Sequence, residues 1–235
     1  RRIAVLMSGG VRTMVHPAAV SEFAALFRWL RARSAALHLF AYLDLEPRYD
    51  PHRHRNLDRR AATRAAVVET VRGCRAHHTL RVHAERPIRG IAGVRTADLR
   101  LGAKYVQQAH KVSEAISMME RHESIRGSFF DVAIRLRPDA CPLDALAFLE
   151  VALARTHCAA ILGLEQMDVF NVAPRWLVVS RAAIGEWQKT VARRQTGNNC
   201  GAFGLHFDVH PHHYGGSWGG QVRLRRPGAG CSAWN

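Results

Sequence analysis

Lysine is almost missing from this chain. Of its 34 basic residues only Lys104, Lys111 and Lys189 are lysines, and the rest are arginine. Acidic residues number 19, so the formal net charge is +15. Arginine offers a planar, bidentate fork to phosphate and carboxylate, and so positive a field attracts nucleic acid, anionic membrane or phosphorylated substrates. A GC-rich genome also inflates arginine and alanine together. The arginines are scattered along helical segments and form no tract, which argues against nucleic acid. Cysteine is sparse. Cys74, Cys141, Cys158, Cys200 and Cys231 fit no zinc or CxxC spacing, and their odd number leaves at least one thiol free unless chains pair. No run of about 18 apolar residues occurs, so no segment predicts a membrane-spanning helix. Walker A and GxGxxG fingerprints, internal repeats and domain linkers are also absent. The chain opens Arg1-Arg2-Ile3 and enters a strand at once, as a processed or trimmed protein would. That leaves an upstream signal or anchor open.

What is present suffices for a core: 48% of the 235 residues are hydrophobic. Ile3–Met7 reads as a buried strand closed by Ser8-Gly9-Gly10. Pro17 suits the first residue of a helix, and Val20, Phe23, Ala24, Phe27 and Leu30 follow at helical spacing. Leu37–Leu43 reads as a second strand, and the polar stretch Asp44–Asp58 as a loop. A helix over 59–76, a strand over 79–84 and a loop over 86–95 come next. The long helix Asp98–Glu123 buries Tyr105, Ala109, Val112, Ile116 and Met119, with Lys104, Gln107, Gln108, Lys111 and Glu114 opposite. Gly127 stops it. After the central strand, a helix begins at Pro142, strands follow at 159–164 and 175–179, and a helix covers 181–194. The order predicts a single α/β domain over 1–235, with a mostly parallel, Rossmann-like sheet flanked by helices. Residues 1–194 are its core and 195–235 an irregular Gly/His-rich tail.

The stretch that organises the chain is Phe129–Cys141, FFDVAIRLRPDAC. Alternation puts Val132, Ile134 and Leu136 on one face and Ala133, Arg135 and Arg137 on the other. Pro138 breaks the strand and Asp139 follows. Two guanidiniums and a carboxylate thus converge at a strand end, the place where open α/β sheets bind ligands. The arginines suit anionic phosphate, and Asp139 suits a sugar hydroxyl or a divalent cation such as Mg2+ or Mn2+. The competing reading is an internal Arg–Asp ion pair.

Other constellations carry less. Ser8-Gly9-Gly10-Val11-Arg12 lets backbone approach a phosphate, with Arg12 to pair with it, or is an ordinary turn. Lys104, Gln108 and Lys111 read as a ligand-facing row or as a solvated helix face. Asp168 and Asn171 can reach a cleft or belong to a polar turn. His206, Asp208, His210, His212 and His213 suit a metal or a general base, against a surface loop.

Taken in order, IAVLMSGGVRT, the helix with Gln107 to Lys111, FFDVAIRLRPDA and DVFNVAPRWLVVSR resemble a family of nucleotide-sugar glycosyltransferases. The likeness spans roughly residues 2 to 187, and RxRPD is its most specific element. It implies an A-type glycosyltransferase fold and sugar transfer from a UDP- or GDP-sugar to a glycan or other hydroxyl acceptor. It implies the Golgi or secretory pathway for a eukaryotic source. Carried over by residue, Gly9, Gly10, Arg12, Lys111, Arg135 and Arg137 bind the nucleotide. Asp139 stands at the metal motif, with His206 or His210 completing a Mn2+ or Mg2+ shell. Asp168 faces the acceptor or sugar, and Asp139, Asp168 and His210 are the catalytic candidates. One departure bears on the metal: Arg137 stands where the second aspartate of a DxD pair belongs, so arginines are the alternative to a cation. The functional alternative is a non-catalytic basic domain that binds nucleic acid or another polyanion.

Overall fold

The computed structural model describes residues 1–11, 13–45, 62–84, 99–139, 146–154, 156, 161–165, 176–195, 207–214 and 217–224. The elements are β1 (Arg2–Val11), α1 (Pro17–Ala32), β2 (Ala36–Leu45), α2 (Arg64–Gly73), β3 (His77–Ala84), α3 (Leu99–Arg126), β4 (Val132–Leu136), α4 (Leu146–Ala154), β5 (Ile161–Glu165), β6 (Trp176–Ser180), α5 (Arg181–Gln195), β7 (Phe207–Tyr214) and β8 (Ser217–Leu224). The α/β alternation expected from the sequence is present through α5.

The strands form one sheet in the order β3-β2-β1-β4-β6-β5-β8-β7. β3, β2, β1 and β4 are mutually parallel. β6, β5, β8 and β7 each join antiparallel to the strand before them in that order. Every strand but β6 and β8 therefore runs one way.

Local chemistry accounts for the helix ends. His16 caps α1 by accepting from the Ala18 N–H, and Pro17 stands in its first turn. Thr63 caps α2 through the Ala66 N–H. Gly127, at φ +62°, ends α3 in a left-handed conformation that costs glycine little.

Two apolar layers sandwich the sheet. On one face Ile3, Val5, Met7, Leu39, Leu43, Val132, Ile134 and Leu136 pack with Phe23, Phe27 and Leu30 of α1, Val67 and Val71 of α2 and Leu149 of α4. On the other, Ala4, Leu6, Phe40, Ala133, Leu177 and Val179 meet Ala109, Val112, Ile116 and Met119 of α3 and Ile184, Trp187 and Val191 of α5. The alternation read in the central strand holds in β4. Cys74 is a buried free thiol, which meets the odd-count expectation, and burial pushes it up to about 12 against an opposing Arg31. No helix among the described residues is long and apolar enough to cross a membrane.

Three expectations change. The loop expected from Asp44 starts later, because β2 continues through Asp44 to Leu45. Lys111, expected on the polar side of α3, is only 7% exposed, because it turns toward the sheet and pairs with the buried Asp44 of β2. The tail is not irregular over 207–224. It forms the β7–β8 hairpin, in which Tyr214 pairs with Ser217 on either side of Gly215-Gly216, the two-residue spacing that hairpins favour.

Candidate functional site

The first connections set the site's place. β1 leads through α1 to β2 on one side of the sheet, and β3 leads through α3 to β4 on the other. Strand order thus reverses between β1 and β4, and the carboxyl ends on either side of such a switch point frame a crevice.

Both sequence motifs meet there. Gly9 lies at the end of β1 with φ +144°, and a Cβ built on it would stand 3.1 Å from Pro138 Cδ. Only glycine combines that backbone with so close a neighbour. The SGG segment, expected as a turn but held in β1 through Val11, is therefore in contact with the RPD turn across β1 and β4.

Beside them, the face of the sheet beneath α3 carries polar groups. Ser8 is 2% exposed, and its Oγ has no hydrogen-bond partner among the described residues. On β2, register places Asp44 level with Gly10, and Lys111 of α3 reaches down to it, Nζ to Oδ2 2.7 Å. Both are buried, Asp44 being 5% exposed. Tyr42 precedes Asp44 on the same face, its ring 4.9 Å from that of His83 on β3 and 6.1 Å from that of His110 on α3. Gln108 Oε1 and His83 Nε2 are buried without a partner among the described residues.

β4 supplies the arginines. Arg135 is 2% exposed, under α3 and level with Leu6 and Leu177, so it sits inside the sheet and short of the rim. Burial pushes its guanidinium down to about 9, Arg137 adds to that and Asp139 opposes it, so Arg135 remains a cation at neutral pH. At the rim, Arg137 clasps Asp139 through two bonds, Nε to Oδ1 at 2.8 Å and Nη2 to Oδ2 at 2.6 Å. The bidentate geometry is that of a charge-assisted fork. The internal ion pair and the convergence at the strand end thus occur together.

Of the candidates named from sequence, Gly9, Gly10, Lys111, Arg135, Arg137 and Asp139 gather at this edge. Arg12, Asp168 and His206 lie outside the described residues. β5 ends and β6 begins at this same edge, since Leu164 pairs with Trp176. The backbone of His210 lies on β7, with β6, β5 and β8 between it and β4. The site residues that sequence reasoning missed are Asp44, Tyr42 and His83. A signal for two of them was there: His38, Phe40, Tyr42 and Asp44 are every second residue of one strand, so Asp44 extends its α3-facing row.

No protein-family model matches the chain, and a comparison with curated proteins finds no match.

Proposed function

We propose that the chain is a glycosyltransferase whose donor, a UDP- or GDP-sugar, binds at the carboxyl edge between β1 and β4. The observation that carries this reading is the contact of Gly9 with Pro138, which joins the two motifs of the resemblance at the topological switch point. Around it stand three cations: Arg137 and Lys111, paired with Asp139 and Asp44, and Arg135 buried beneath them. Gly9 and Gly10 carry no side chain to hold a phosphate away from the backbone, and Ser8 offers a buried hydroxyl.

In the proposed reaction the bond from the anomeric carbon to the diphosphate oxygen breaks, and its electron pair leaves with the diphosphate. The acceptor hydroxyl oxygen forms the new bond and its proton passes to a base. Fixed cations stabilise the charge that develops on the leaving group, which is the electrostatic contribution to such catalysis. Among the described residues both carboxylates at this edge are held by cations. Asp168 is therefore the candidate for the base, on sequence grounds, since β6, β5 and β8 lie between β4 and the strand of His210.

Calorimetry and thermal shift with UDP, GDP and their sugars test the reading. One nucleotide is expected to bind and raise Tm. Ser8→Ala is expected to weaken it about tenfold with no loss of Tm, because the hydroxyl it removes makes no hydrogen bond among the described residues. Absence of binding by every nucleotide would sink the proposal.

A further inference from the structure

The fold expected from the resemblance implies a divalent cation at Asp139, and the donor set can be tested against that. Both Asp139 oxygens accept from Arg137, at 2.8 and 2.6 Å. The other described carboxylate at this edge, Asp44, is held at 2.7 Å by Lys111. Among the described residues, no three His, Cys, Asp or Glu are grouped to hold a metal ion. Arg135 lies close enough to Arg137 and Asp139 for their charges to act on it. A divalent ion would have to displace a bidentate guanidinium and then sit beside two cations. Mg2+ and Mn2+ favour several oxygen ligands, and unshared cations beside the site repel them. The described residues at this edge do not fit the ion.

We propose that this site works without a divalent cation, because Arg137, locked by Asp139, supplies the positive charge that faces the donor's diphosphate. The inference rests on the nucleotide-sugar reading. It reverses the role of Asp139, which becomes a positioning residue that orients Arg137 through its two oxygens. A planar guanidinium gripped on one edge keeps Nη1 and the outer hydrogen of Nη2 for phosphate oxygens. It is preorganised, so little side-chain entropy is lost on binding. Lys111 cannot take this role without giving up Asp44, and Arg135 is too deeply buried.

The test uses the full chain and has two arms. In the first, Mn2+ alone is titrated into wild type and Asp139→Asn by calorimetry. The expected result is no difference between them. Binding to wild type that Asp139→Asn abolishes would overturn the proposal. In the second, UDP and GDP affinity is measured with EDTA and with Mn2+. Wild type is expected to change less than about twofold, whereas a loss of about tenfold in EDTA overturns the inference. Arg137→Ala removes the guanidinium fork from Asp139 and is expected to bind nucleotide about tenfold more weakly in EDTA, with Mn2+ restoring part of the loss. Equal affinity of Arg137→Ala and wild type in EDTA would also overturn it. Should Arg137→Ala fail to fold, Arg137→Lys, which keeps the charge and loses the fork, takes its place, and weakened EDTA-insensitive binding is expected. Failure of any nucleotide to bind rejects the nucleotide reading, and the Mn2+ arm still decides whether Asp139 is a metal ligand.

Discussion

Gly9 is the residue on which the crevice depends. Its φ of +144° is closed to side chains, and Pro138 stands 3.1 Å from where a Cβ would be. Gly9→Ala must either shift the backbone of β1 or push the RPD segment away. We expect a cost of about 2 kcal/mol, the scale of a backbone held in a sparsely populated region. Denaturant unfolding checks this, and an unchanged midpoint would mean that this backbone relaxes freely. The glycine was visible in the sequence as a turn signal. Its neighbour was not, because Pro138 lies more than a hundred residues away and only parallel pairing of β1 with β4 brings them level. The same limit applies to Lys111. Its position on a polar row was legible, and its burial against Asp44 was decided by the layer above it.

At the scale of elements, α3 organises the second face of the sheet and anchors both of its edges. Midway along it Lys111 holds Asp44. Near its end Glu123, buried, accepts from the Phe130 N–H at 2.8 Å and from Arg181 at 2.8 and 2.9 Å, tying α3 to β4 and α5. Between them and toward the amino edge, His122 packs on β2. Its ring is 4.3 Å from that of His38, which stacks on Phe40 at 4.3 Å and bonds Thr79 at 3.0 Å.

Burial first, then the charges of His122, His77, His78 and Arg126, push His38 down from 6.5 to about 4. His122 is lowered too, by burial and then by Arg126 and Arg2, against Glu123. A histidine lowered by folding binds its proton less well in the fold than in the unfolded chain. Stability is therefore undiminished above about pH 6.5 and falls as pH drops from there toward 4. Tm measured across this window should decline, and His38→Phe should decline less. Equal decline of the two would place the acid sensitivity elsewhere. This ring cluster was not legible beforehand, since it joins two strands, a helix and the turn before β4.

For the molecule as a whole, the parallel half of the sheet is the rigid part. β1 and β4 are buried on both faces, as a parallel sheet covered by helices requires. Hydrogen exchange should find its slowest amides in β1, β2 and β4, where local opening approaches global unfolding. Addition of the bound nucleotide should slow the amides at the ends of β1 and β4 most. Slowing centred on β7 and β8 instead would move the site to the other end of the sheet. The charge reads differently at this scale. Arg1 donates to the Leu153 carbonyl, Arg31 to the Cys74 and Arg75 carbonyls, and Arg33 pairs with Glu150. Much of the described arginine thus fastens chain segments to one another.

The amino-acid sequence determined the order of strands and helices, the two faces of β4 and the two motifs. Apolar periodicity and glycine or proline punctuation act locally and can be read without the fold. It did not determine that β6 runs against β4, nor that 207–224 pair as strands, because pairing direction is settled by packing between distant segments. The Arg137–Asp139 pair, two residues apart, was one of the readings the sequence allowed. Tertiary structure alone put Gly9 against Pro138 and buried Arg135 and Lys111. Each depends on what faces the residue across the sheet or from α3, and neither periodicity nor propensity encodes that neighbour.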